Sequence, residues 1–184
     1  MNIVLPLRHV RKPKLVTGIN WGHAASRGLV ACVPFFERAG APLELVQRRL
    51  THINARWAAS PYGSGFATAD GVGGSEPSFG DIPAYDVTGN FTAACLVNVT
   101  AWSTTTSGDF MWSKNIYQDR GWILLNNGSF GNHVGFRTDR LNDTHYAVVT
   151  REAVGTGYML LVGRRVATDL EFLVVYPGAL VSHV

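Results

Sequence analysis

Five glutamates are the residues from which hydrolytic chemistry would first be expected. Glycoside hydrolysis needs two carboxyl groups about 5 to 9 Å apart across the scissile bond. On a strand that means acids two or four positions apart, because alternate residues share a face. We expect none of the five glutamates to have an acidic companion at this spacing; they are Glu37, Glu44, Glu76, Glu152 and Glu171. We therefore expect no hydrolysis by this route.

Nucleophilic and metal chemistry also lack their usual patterns. No serine or cysteine lies in a Gly-x-Ser-x-Gly context, and no Cys or His pair has zinc spacing. The two cysteines, Cys32 and Cys95, are expected to be small buried residues and not a disulfide. Calcium binding stays possible, because four acids are expected in loops, but their spacing does not indicate a site; they are Asp70, Asp81, Asp139 and Asp143. The sequence predicts a protein that is not an enzyme and that needs no cofactor.

Aromatic side chains near loops are the candidates for ligand contact. Trp57 and Tyr62 flank a stretch rich in Gly, Ser and Pro over residues 60–83, and Trp102 and Tyr117 lie at predicted strand ends. Exposed rings of this kind can stack on the apolar faces of sugars. Packing in a core or an interface is the commoner use of each ring, so both interpretations stay open.

Positive charge is concentrated at the N-terminal end. Residues 1–60 hold nine Lys and Arg against two Glu, whereas residues 61–184 hold seven against eleven acids. Residues 1–17 are predicted to be an extended arm whose Arg8, Arg11, Lys12 and Lys14 contact acidic protein neighbours. Solubility or self-association between copies is an equal alternative. No DNA-reading motif accompanies these charges, so nucleic-acid binding is not expected.

The elements that would position these residues are strands. Seven segments with alternating or continuous apolar residues follow residue 89, separated by turn-forming residues: 90–99, 109–114, 121–126, 133–138, 144–151, 157–163 and 171–176. Before them, 28–36 (GLVACVPFF) predicts a buried strand, 65–69 predicts a short one, and 42–50 fits a short helix or a strand. The pattern predicts an all-β fold, a two-sheet antiparallel sandwich or jelly roll, over residues 18–184.

Location is constrained by what the sequence does not contain. The start has the reverse of the charge order of a signal peptide, and no apolar run approaches the ~20 residues that a membrane helix needs. We expect synthesis in a cytoplasm, without membrane insertion.

Several stretches together resemble the laminin G-like branch of the concanavalin A-like lectin fold, as found in bacteriophage and bacterial proteins. They are GINWGH at 18–23 with SRGLVAC at 26–32, DVTGNFTAA at 86–94, THYAVVTR at 144–151 with GYMLLVGR at 157–164, and VYPGAL at 175–180. The third is similar to a hairpin of that family, although Gly163 and Arg164 replace its Asn-Gly turn and the link over 165–173 is shorter.

The resemblance implies a curved jelly roll used for glycan binding, adhesion or virion structure. Our hypothesis is a non-catalytic phage virion protein, a capsid decoration or particle-surface protein that binds a major capsid protein or another virion protein and forms a homo-oligomer. The alternative is a carbohydrate-binding adhesin module that recognises host surface glycans.

Overall fold

The computed structural model describes residues 19–35, 41–50, 56–61, 63–67, 82–87, 89–102, 109–114, 122–127, 132–140, 143–177 and 179–183. The chain divides into two compact units, Met1–Tyr85 and Asp86–Val184. The arm predicted over residues 1–17 lies outside the described residues. The division into an arm and a single domain over 18–184 stays a prediction.

The first unit contains short elements. They are 3₁₀ turns at Ala24–Ser26 and Pro83–Tyr85 and the strands β1 (Leu43–Glu44), β2 (Arg49–Leu50), β3 (Arg56–Ser60) and β4 (Gly63–Ala67). Strand β1 pairs with β2, and β3 pairs with β4, both antiparallel. Residues 42–50 are thus a small hairpin, which resolves the choice between helix and strand. Strand β4 corresponds to the short strand expected near residue 65, and β3 was not predicted.

The strand predicted over 28–36 does not form in its described part, 28–35. Its backbone finds other partners: the Cys32 N–H donates to the Glu44 carboxylate, and the Cys32 carbonyl accepts from the Leu45 N–H at 2.9 Å. Phe35 has a φ of 55°, in the left-handed region, which a continuous strand does not allow. A buried carboxylate and a turn have replaced the expected ladder.

The second unit carries the longer strands. They are β5 (Phe91–Val99), β6 (Asp109–Lys114), β7 (Trp122–Asn127), β8 (His133–Arg140), β9 (Asp143–Thr150), β10 (Gly157–Val166), β11 (Asp169–Tyr176) and β12 (Ala179–His183), with one helical turn, α1 (Arg151–Val154), before β10. All seven segments predicted after residue 89 are strands. The all-β prediction is confirmed.

These strands form two four-stranded antiparallel sheets. The first has the order β12-β11-β10-β5, and the second is the meander β6-β7-β8-β9. Strands β9 and β10 therefore belong to different sheets, and the hairpin expected from residues 144–164 is wrong. Gly163 and Arg164 lie inside β10, and the turn that follows is at Ala167 and Thr168.

One apolar cluster joins the two sheets. Its buried members on the first sheet are Ala93, Met159, Leu161, Leu170, Phe172 and Val174, and on the second sheet Trp122, Leu124, Val134, Phe136 and Ala147. They occur at every second position of their strands because side chains alternate between the two faces of a sheet. The cluster fixes which face of each sheet points inward.

Phe136 shows how closely the two sheets approach. A Cβ atom added to Gly163 would lie 2.2 Å from Cδ2 of Phe136, so the ring rests directly on the backbone of β10. Phe91 closes one side of the same ring, edge to face, with centroids 5.7 Å apart. A residue without a side chain on one sheet thus makes room for a large ring on the other.

Hydrogen bonds from side chains or to side chains stabilise each end of the first sheet. The Trp102 Nε1–H donates to the carbonyl of Gly155 at 2.6 Å, and the Tyr176 hydroxyl donates to the carbonyl of Val154. At the other end, the Ala167 N–H donates to Oδ1 of Asn90 at 2.7 Å. These bonds hold α1 and the β10–β11 turn against neighbouring strands.

Candidate functional site

The outward side of the first sheet carries apolar residues where polar ones would be ordinary. The buried positions of β10 are odd-numbered, so its even-numbered residues face outward. The same argument assigns the even positions of β5 and the odd positions of β11 to this side. We call the resulting set the outer apolar face: Ala94, Leu96, Leu160, Val162, Leu173 and Val175.

The outer apolar face consists of two rows that cross three strands. Leu160 pairs with Leu96 on one side and Val175 on the other. In the next row Val162 pairs with Ala94 and Leu173, so the side chains of a row are cross-strand neighbours about 5 Å apart. The rows form one continuous patch.

Water reaches this patch. Leu96 is 51% exposed, and Ala94 is also exposed. The four members on β10 and β11 are each partly buried, since neighbours on both sides shield them. A contiguous apolar patch on a sheet face that water reaches is a candidate interaction site. The face is the strongest candidate for a binding surface among the described residues.

A polar row ends the patch. Arg164 and Glu171 are cross-strand partners, and their side chains form an ion pair. Thr92 completes the row on β5. Asp169 lies two residues before Glu171 on β11, so the expectation that no glutamate has an acidic companion at this spacing is wrong. The Glu171 carboxylate of this pair is bound to the Arg164 guanidinium.

The outward side of the second sheet has a different character. Tyr146 on β9 is 38% exposed and is the cross-strand partner of Arg137 on β8. The guanidinium carbon of Arg137 lies 5.4 Å from the ring centroid, within the range of a cation–π contact. Val148, 39% exposed, is the next outward residue of β9. Among its described side chains, this side therefore offers an aromatic ring next to a cation.

The two predicted glycan-stacking residues that the structure describes, Trp57 and Trp102, belong to different units. Trp57 lies on β3 of the first unit, partly buried, with its ring 6.5 Å from that of Phe35. Trp102 lies in the second unit, partly buried against the core, with its N–H bonded to Gly155. Tyr62 and Tyr117 lie outside the described residues, as do the arm residues Arg8, Arg11, Lys12 and Lys14.

The acids considered for calcium are not loop residues where the structure describes them. Asp139 lies within β8, and Asp143 is the first residue of β9; Asp70 and Asp81 lie outside the described residues. Within the described ranges, no cluster of three or more His, Cys, Asp or Glu side chains could hold a metal ion. In the same ranges, no helix has the length and apolar character to cross a membrane.

Both cysteines are free thiols. Burial raises the pKa of Cys95, on the inward side of β5, to about 11. Burial and, to a lesser degree, the neighbouring Glu44 carboxylate raise the pKa of Cys32 as well. A raised pKa leaves the thiol protonated at neutral pH, which is the opposite of what a nucleophilic cysteine needs.

The sequence-based prediction did not include the outer apolar face, because it considered aromatic side chains near loops and strand ends as the candidates for ligand contact. Its signal was present: residues 158–162 (YMLLV) and 172–176 (FLVVY) are apolar without alternation, which is typical of strands covered on both faces.

Comparison with known proteins finds no matching family model, no matching curated protein and no matching solved structure.

Proposed function

We propose that the chain is a non-catalytic structural protein that attaches to neighbouring proteins of a phage particle through the outer apolar face. In this proposal it is a capsid decoration or other particle-surface protein, and a major capsid protein is its first expected partner. The single observation that carries the docking role is the continuous apolar patch on an outward sheet face, with Leu96 half exposed.

The finer fold is part of the proposal. Two four-stranded antiparallel sheets with a common core support a concanavalin A-like jelly roll, and the sequence stretches that resemble laminin G-like phage proteins support the particle assignment. The arm over residues 1–17 would add contacts from Arg8, Arg11, Lys12 and Lys14 to acidic neighbours, in line with its charge.

The particle assignment is tested by mass spectrometry of purified, nuclease-treated particles from the phage that encodes the chain. The expected result is a stoichiometric amount of the chain on the particles. Its absence from them would reject the assignment.

The docking role is tested by Leu96→Asp. A carboxylate at this position would have to lose its water on docking, and an unpaired buried charge is costly, so we expect association with particles to fall at least 10-fold. Val148→Asp is the matched control, because Val148 is an exposed aliphatic residue on the other sheet. Equal association of Leu96→Asp and wild type would contradict docking through this face.

The second candidate function, glycan binding, is favoured by one observation. Tyr146 presents a partly exposed ring next to Arg137, and a sugar could stack on that ring while the guanidinium bonds its hydroxyls. It predicts saturable binding on a glycan array that Tyr146→Ala weakens. The sequence-based candidates Trp57 and Trp102 would be tested in parallel, and silence across a broad array would reject this function.

A further inference from the structure

Strands β10 and β11 present an arrangement on the outer apolar face that is complementary to itself. Three successive outward pairs join them: Leu160 with Val175, Val162 with Leu173, and Arg164 with Glu171. The first two pairs are aliphatic on both strands. The third pairs a cation on β10 with a carboxylate on β11.

We consider a twofold axis that runs parallel to β10 and β11, lies above the face, and is centred over the gap between these two strands. It places β10 of one copy over β11 of the other and keeps the same ends together. Leu160 then meets Val175, and Val162 meets Leu173. In the third row each Arg164 meets the Glu171 carboxylate of the other copy. Twofold interfaces require this kind of self-complementarity, in which one residue meets a second and the second meets the first.

We propose that the occupant of the outer apolar face is a second copy of this chain, bound through that twofold axis. The inference rests on the proposed function, since it names another copy of this chain, and not the major capsid protein, as the neighbouring protein that docks on this face. Packed sheets cross at about 30°, so the match is closest around Val162 and Leu173, the middle pair of the three. Charge complementarity at the polar row sets the orientation, and the apolar rows supply the burial.

The size of the whole outward side of the first sheet fits a reversible dimer. Its four strands, β5, β10, β11 and β12, have a mean length of about eight residues; at about 4.8 Å between strands and about 3.3 Å per residue, this side measures roughly 19 by 26 Å, or about 500 Å² in projection. Stable complexes bury about 800 Å² of accessible surface on each partner, and a surface of side chains has more accessible area than its projection. We therefore expect a dimer with a dissociation constant in the micromolar range.

The decisive experiment uses two charge-reversed full-length chains, Arg164→Glu and Glu171→Arg. The first carries acidic side chains at both positions of the third row, and the second carries basic ones, so in the proposed dimer each variant alone faces its own copy with like charges. In an equimolar mixture, an acidic chain can pair with a basic one. In that heterodimer position 164 of each chain again meets an opposite charge at position 171 of the other chain. We expect each variant to self-associate at least 10-fold more weakly than wild type, and the mixture to form the heterodimer, by sedimentation equilibrium and native mass spectrometry.

The mixing step separates a contact between copies from the ion pair within one copy. Each reversal also places like charges side by side within its own chain, but both side chains are solvent-accessible, and such pairs change stability by about 1 kcal/mol or less. Thermal unfolding checks that both variants are folded. A mixture without heterodimer would overturn the inference, and so would a wild-type chain that stays monomeric at high micromolar concentration.

Leu96→Asp distinguishes a failure of this inference from a failure of the proposed function. A monomeric wild type whose particle association is lost in Leu96→Asp would mean that the face binds a different protein; the inference would be overturned and the proposed function kept. A dimer that Leu96→Asp weakens, with Val148→Asp unchanged, supports the inference.

Discussion

The contact between Phe136 and Gly163 predicts a large effect from a single methyl group. In Gly163→Ala the new Cβ atom would lie 2.2 Å from the Phe136 ring, whereas carbon atoms in contact stay about 3.5 to 4.0 Å apart. The ring has little room to move, because Phe91 packs against it at 5.7 Å. The sheets would have to separate by more than about 1 Å.

The expected cost follows from opposing terms. Overpacking of this kind costs about 1 to 3 kcal/mol, while replacing a glycine within a strand recovers about 0.5 to 1 kcal/mol of backbone entropy. An approach of 2.2 Å belongs at the upper end of the overpacking range, so we expect Gly163→Ala to lower the free energy of unfolding by about 2 kcal/mol, measured by urea denaturation. Gly89→Ala is the control, because a Cβ atom there has nothing within 4 Å, and its stability should stay at or slightly above that of wild type.

A double-mutant cycle locates the cause. In a Phe136→Leu background the ring is gone, and Gly163→Ala should cost less than about 0.5 kcal/mol, so the coupling energy between the two sites should be about 1 kcal/mol or more. An equal loss of stability in both backgrounds would refute the reasoning, because it would mean that the ring of Phe136 does not rest on β10.

Other predictions concern single side chains. Glu44→Gln weakens a charge-assisted acceptor that takes the Cys32 N–H at 2.7 Å, so the Cys32 amide should exchange its hydrogen at least 10-fold faster by NMR. Trp102→Phe removes the 2.6 Å hydrogen bond to Gly155 and should cost about 1 kcal/mol in urea denaturation. Burial raises the pKa of Cys95 from 9.0 to about 11; the unfolded chain therefore loses this proton first, and stability should fall as pH rises from 9 to 11, with a smaller slope in Cys95→Ala.

The strands of the second unit could be predicted because their local signals agree. Strand β5 has an apolar residue at every second position from Phe91, and β7 ends in Asn126 and Asn127, which suit a turn. The sheet to which each strand belongs could not be predicted. Residues 144–164 were expected to be one hairpin, yet α1 separates β9 from β10 and directs the chain to the other sheet, and nothing in the apolar pattern encodes that crossing.

The strand predicted over 28–36 of the first unit was wrong because polar contacts to residues further along the chain take the place of a ladder. Residues 28–36 are apolar enough for a buried strand, but the Glu44 carboxylate, twelve residues from Cys32, takes the N–H that a ladder would use. The candidate site shows a similar limit. The apolar runs on β10 and β11 are visible in the sequence, but whether their outward side meets another layer depends on how the whole chain is arranged.

A strand that is apolar on both faces raises the question of what fixes its register. In an alternating strand a slip of one residue moves polar side chains into the core, but in the run 158–162 it would exchange one apolar residue for another. Three residues at the end of β10 make a one-residue slip unfavourable. Gly163 alone fits under Phe136, Arg164 has its partner in Glu171 on the outward side, and buried Arg165 donates from Nε to the Ala167 carbonyl at 3.0 Å. A one-residue slip would place either a valine or an arginine against Phe136, so the polar end of β10 both fixes the register of the sheet and marks where the outer apolar face stops.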